Sequence, residues 1–109
     1  MNREEIRAWV ESNSTMMPET HFTPDDLNHI AMCMEHLYEW AFGRWPDLGH
    51  FLTAVANNDF RLACTKADIP NRKALYLYAL FMYNKLPADY MKGGEHRAIQ
   101  SAKTSNHQA

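Results

Sequence analysis

The sequence predicts an all-α fold, a small bundle of three to four main helices ahead of a disordered tail. Three observations carry this. No glycine stands between His50 and Lys92, so no glycine-based hairpin turn is available there. The prolines at 18, 24, 46, 70 and 87 fall where the apolar patterns break. Between those breaks, apolar residues recur at helical spacing. A chain of 109 residues, 46% of them hydrophobic, suits one domain, assigned to residues 1–87. That size buries a real core without disulfides or metal.

The first helix is expected over residues 3–11. Asn2 caps it and Glu5 stands three residues on, as in a capping box. Ile6, Trp9 and Val10 give it one apolar stripe. Residues 12–22 read as a linker rich in Ser, Asn, Thr and Pro. Thr23-Pro24-Asp25-Asp26 then starts a helix over 24–42, with a cap, an early proline and two acids at the positive dipole end. Gly43 and Pro46 end it. A single helix with a polar patch at Asn57-Asn58-Asp59 is expected over 47–67. Asn and Asp compete for backbone hydrogen bonds, so that triplet is also where it would divide. Asp68-Ile69-Pro70 repeats the start signal for a last helix over 70–85. Every position from Leu75 to Tyr83 is apolar or aromatic. A helix apolar all round must be covered all round, which a chain this short can barely do, so a homo-oligomer is expected. Residues 88–109 read as the disordered tail.

The formal net charge of −2 hides an asymmetry. Residues 1–60 carry ten acids against Arg3, Arg7 and Arg44, whereas residues 61–109 carry eight Lys and Arg against three acids. A basic half attracts phosphates, and opposite halves steer copies of a chain together; solvated helix faces that merely differ in sign explain the split equally well. The chain is net acidic, which argues against duplex nucleic acid as a partner. The longest apolar run, Ala74 to Tyr83, is too short to span a bilayer. No apolar segment of signal-peptide type follows Met1, so Cys33 and Cys64 are expected to be reduced thiols in the cytoplasm.

Few constellations carry chemistry. His29, Cys33 and His36 fall at i, i+4 and i+7, the one candidate metal site, but with three ligands and no paired zinc spacing. A half-buried cysteine on a polar face explains them as well. No Gly-x-Ser-x-Gly elbow or glycine-rich phosphate loop is present, and the scattered aspartates are accounted for as helix caps. No catalytic residue and no cofactor are therefore assigned. The aromatic and basic residues near the middle of the chain are more informative. Tyr38, Trp40 and Trp45 offer faces that stack on bases. Arg44, Arg61 and Lys66 offer charge for phosphates, and His50 adjoins them in the sequence. Asn58 and Asp59 offer polar groups that read base edges. Core packing of the two tryptophans is the plainer alternative.

The stretch Gly49-His50-Phe51-Leu52 to Val55, with Asn58-Asp59, then Ala67-Asp68, Asn71, and Phe81-Met82-Tyr83-Asn84 ahead of Pro87, resembles a pattern of small phage proteins. In size and helical content the chain is also similar to the helical anti-CBASS sponges. Ala56 and Phe60 stand where the pattern has leucine, the Trp-Gly-Ser segment after the last proline is missing, and the N-terminal helix is additional. The resemblance covers about residues 49–87. It implies a phage-encoded, non-enzymatic protein that forms ring-like hexamers in the host cytoplasm. Such a protein sequesters a cyclic-nucleotide immune signal and so blocks anti-phage defence. Two other functions fit the residues: an acidic protein-binding inhibitor of a host enzyme, and a structural or adaptor subunit of a phage.

Overall fold

A computed structural model of the chain describes residues 1–90, and among them there is helix but no strand. Six helices follow in order: α1 (Arg3–Ser14), α2 (Pro24–Ala41), α3 (His50–Ala56), α4 (Phe60–Lys66), α5 (Ile69–Lys73) and α6 (Leu75–Lys85). None is long and apolar enough to cross a membrane.

The first two helices start as the sequence predicts. The Asn2 side chain accepts from the Glu5 N–H at 2.9 Å, and Glu5 accepts from the Asn2 N–H at 3.1 Å. Thr23 and Asp26 form the same reciprocal pair, both at 3.0 Å. Each pair satisfies two backbone donors that the helix itself leaves open. α1 runs on to Ser14 rather than stopping at residue 11. Asn13 and Ser14 donate back to the Trp9 and Glu11 carbonyls at 2.8 and 2.7 Å, so polar residues that read as linker instead finish the helix.

The expected helix over 47–67 is two helices, and the first begins only at His50. The polar triplet divides them. Asn58 takes a left-handed backbone, φ 58°, which asparagine tolerates better than most residues. The Asn58 and Asp59 N–H groups bond back to the Val55 and Ala54 carbonyls at 3.0 and 2.8 Å, closing the end of α3. The Asp59 carboxylate then accepts from the Leu62 N–H at 3.1 Å and opens α4. The expected helix over 70–85 is likewise two. Ala74, φ −102°, sits between α5 and α6, and its N–H bonds to Asn71, three residues back, at 3.1 Å. This tight turn interrupts the α-helical ladder.

α2 lies at the centre and contacts α1, α3, α5 and α6. Its Ile30, Met34 and Leu37 are fully buried against Ile6 and Val10 of α1 and Leu77 and Phe81 of α6. Side chains tie the periphery to this core. Arg3 pairs with Glu35 at 2.7 Å, linking α1 to α2. Lys73 donates to Asp26 at 2.5 Å and to the His21 carbonyl at 2.8 Å, and this ammonium holds the Asp26 carboxyl below its ordinary range. Residues 88–90, expected as part of the tail, are among the described residues. The Tyr90 hydroxyl donates to the Ala56 carbonyl at 2.7 Å, and its ring lies 6.4 Å from that of Trp40. The rest of that expected tail, residues 91–109, lies outside the described residues.

Candidate functional site

A groove of about 310 Å³ lies between α3, α4 and α6. Its volume lies at the lower end of the range for small-molecule sites. The break at 57–59 lies beside it, and Ala54 and Val55 of α3 with Ala63 of α4 give it a wall of small side chains. α6 supplies the opposite wall through Tyr76, Tyr78 and Met82. Tyr78 is fixed by burial and by an edge-on contact with Phe51 at 5.2 Å. Tyr76 is 48% exposed and Phe60 71% exposed, although both line the groove. Asn58 and Asp59 bring the polar groups, and no Lys or Arg is among the lining residues. The Asp59 carboxylate uses one oxygen as the α4 cap and has a second acceptor oxygen besides. A second depression shares Asp59 and adds Arg61, Leu62 and Thr65.

The structure sorts the sequence candidates into distinct places. Asn58, Asp59 and Arg61 are at the groove or its border. Lys66 is exposed in the last turn of α4, and His50 is exposed at the start of α3. Tyr38, Trp40, Arg44 and Trp45 do not line the groove. They cluster around the end of α2 and are engaged with one another and with neighbours. Arg44 forks onto Glu39 at 2.5 and 3.2 Å and lies over the Phe42 ring at 5.2 Å. That pairing draws the Glu39 carboxyl below its usual range and raises the Arg44 guanidinium. Trp45 stacks on His36, with centroids 4.3 Å apart and planes within 11°. The Tyr38 ring packs 4.7 Å from Phe42. The sequence reading missed Phe60, Tyr76 and Met82. The continuous aromatic run of α6 was the available signal, but it did not say which face stays open.

The three residues of the metal candidate separate. His36 is taken by Trp45, whereas His29 meets both Asp68 and the Cys33 sulfur. Among the described residues no group of three or more His, Cys, Asp or Glu is arranged to hold a metal ion. The trio of Cys33, His29 and Asp68 has the composition of a nucleophile–base–orienter set, and its geometry differs from one. The same His29 nitrogen, Nε2, faces the Asp68 carboxylate at 2.7 Å and the Cys33 sulfur at 3.7 Å. A relay needs one ring nitrogen for each partner. Burial also pushes the Cys33 thiol up, away from the reactive thiolate. Cys33 is buried and Cys64 is half-buried. A thiol-labelling time course under native conditions should therefore show Cys64 modified first and Cys33 only on unfolding.

No family model matches the chain, and neither a curated protein nor a solved structure matches it.

Proposed function

We propose that the protein acts by binding, as a sponge that sequesters a base-bearing signalling nucleotide of the cyclic class in the groove between α3, α4 and α6. The observation that carries this reading is the groove's chemistry. Aromatic faces from Phe60 and Tyr76 stand beside the amide of Asn58 and the carboxylate of Asp59. A flat heteroaromatic base needs that combination: a stacking surface worth about 1–3 kcal/mol per base, and edge groups that donate and accept. Arg61 borders the same end and carries no ion pair among the described residues, so it is available to a phosphate. Binding of this kind needs no catalytic group. Held away from its receptor, the nucleotide no longer signals, which would block a host anti-phage defence.

Calorimetry with a panel of cyclic di- and trinucleotides tests the reading. At least one is expected to bind, with Tyr76→Ala weakening it by roughly one to two decades in Kd through the lost stack. Silence of the whole panel against the unmodified chain removes the reading. One observation favours a second function, a protein-binding inhibitor: the groove wall has no cation and is mainly apolar. A stoichiometric host protein retained on the immobilised chain, together with a silent panel, selects that function.

A further inference from the structure

The groove between α3, α4 and α6 is lined by one carboxylate, one amide and no cation. Both polar residues are fixed by their own backbone. The Asn58 and Asp59 N–H groups bond to the Val55 and Ala54 carbonyls at 3.0 and 2.8 Å. The Asp59 side chain is held once more, as the α4 cap, by the Leu62 N–H at 3.1 Å. Among the described residues no Lys or Arg pairs with Asp59, and no group hydrogen-bonds to the Asn58 amide. A carboxylate only accepts and offers about four lone-pair sites, of which the cap takes one, whereas an amide both donates and accepts. A volume of about 310 Å³ suits one base, with its sugar and phosphates left outside toward Arg61 at the border.

We infer that the groove selects guanine, with Asp59 accepting from the base's two adjacent donors and Asn58 donating to its carbonyl; this rests on the sponge function proposed above and names the base it would take. Among the common bases only guanine carries two donors side by side, the N1–H and the exocyclic amine on C2, with the O6 carbonyl next in line. A carboxylate accepts from both donors at once, and the charge strengthens both bonds. Adenine and cytosine set a bare ring nitrogen beside a single amine, so one lone pair faces the carboxylate. Uracil has one N–H between two carbonyls, which turns acceptors toward an acceptor. A site built to bind an N–H rejects the base that lacks it, because its own polar group is then left unpaired. Phe60 and Tyr76 offer stacking that every base shares, so they add affinity without choice. The choice therefore falls to the edge groups, as it does wherever a base is read outside a duplex.

Calorimetry of the full chain with three cyclic dinucleotides, carrying two guanines, two hypoxanthines or two adenines, tests this. The guanine compound should bind about 10- to 100-fold more tightly than the adenine one, the size of a lost hydrogen bond to a charged group. Hypoxanthine keeps the N1–H and O6 and lacks the amine, so it should fall between them. Asp59→Asn keeps a side-chain oxygen for the α4 cap, where Asn serves as well as Asp, and an unchanged circular dichroism spectrum checks the fold. Its amide presents one donor and one acceptor, so the ratio of guanine to adenine affinity should shrink toward one. The ratio is the readout, because removing a negative charge eases the approach of any anionic ligand. Adenine binding as tightly as guanine overturns the inference and leaves the sponge function standing. A guanine preference unchanged by Asp59→Asn overturns it in the same way. Silence of all three compounds and of the wider panel removes the sponge function and the inference together.

Discussion

Phe81→Ala should cost about 3–5 kcal/mol of folding stability, a range set by large-to-small truncation at fully buried aromatic positions. Phe81 is 0% exposed. It is also where three helices meet: Trp9 of α1 packs on it edge-on at 5.2 Å, and Tyr38 of α2 lies 6.4 Å away. Truncation removes the ring's own transfer free energy and takes away the surface on which Trp9 rests. α1 is held through α2 and α6, so the cavity opens at the seam that attaches it. Against a typical total of about 5–15 kcal/mol, this is a large fraction. The melting temperature should fall by roughly 20 °C, at about 4–8 °C per kcal/mol for a domain of this size. Ile69→Ala, at a site 69% exposed, removes a similarly apolar side chain and should stay within about 0.5 kcal/mol of the parent. Denaturant titrations of the two variants check both numbers. Equal losses would mean that Phe81 is not at the centre of the core.

Phe81 also shows what could be read without the structure. Its place in a helix follows from the proline ahead of it and the run of apolar residues around it. The capping boxes at Asn2 and Thr23 and the Asp68 cap were equally legible, because a cap is a local arrangement of a few neighbouring residues. The division at Asn58 was legible only as an alternative. Asn-Asn-Asp is compatible with a polar helix face, and the left-handed turn wins through contacts that reach back to Ala54 and Val55. The candidate site divides in the same way. Asn58, Asp59 and Arg61 stand out in the sequence as polar residues on an apolar helix, and they lie at the groove or its border. Arg44 and Trp45 had suitable chemistry, but Glu39 and His36 occupy them, and no rule of composition states which neighbour a side chain will choose. Tyr76 and Phe60 come together from α6 and α4, and such a meeting of two helices lies beyond any single helix's periodicity.

The second large effect is expected at Asn71, the one buried polar residue among the described residues. Its amide nitrogen donates to the Cys33 sulfur at 3.6 Å, and its amide oxygen accepts from the Tyr78 hydroxyl at 2.6 Å. Its backbone N–H is capped by Asp68 at 3.0 Å, a bond that survives side-chain replacement. Asn71→Leu therefore tests the buried side chain alone. It strands the hydroxyl of Tyr78, a residue 1% exposed, and should cost about 1–3 kcal/mol for an unpaired buried polar group. Tyr78→Phe strands the amide oxygen instead and should cost somewhat less. The double variant leaves neither group unpaired, so its loss should fall below the sum of the single losses by about 1–2 kcal/mol. Additivity would mean that the two side chains do not act on each other. The pH dependence has a definite sign. Burial raises the Tyr78 hydroxyl well above its usual 10.0 and the Cys33 thiol above its usual 9.0, so the folded chain holds both protons longer than the unfolded one. The stability from keeping them neutral is complete below those ordinary values and declines as pH rises above them. Tyr78→Phe removes one of the two groups, so its alkaline loss of stability should be shallower than that of the parent chain. An unchanged slope would show that the hydroxyl ionises as freely in the fold as out of it.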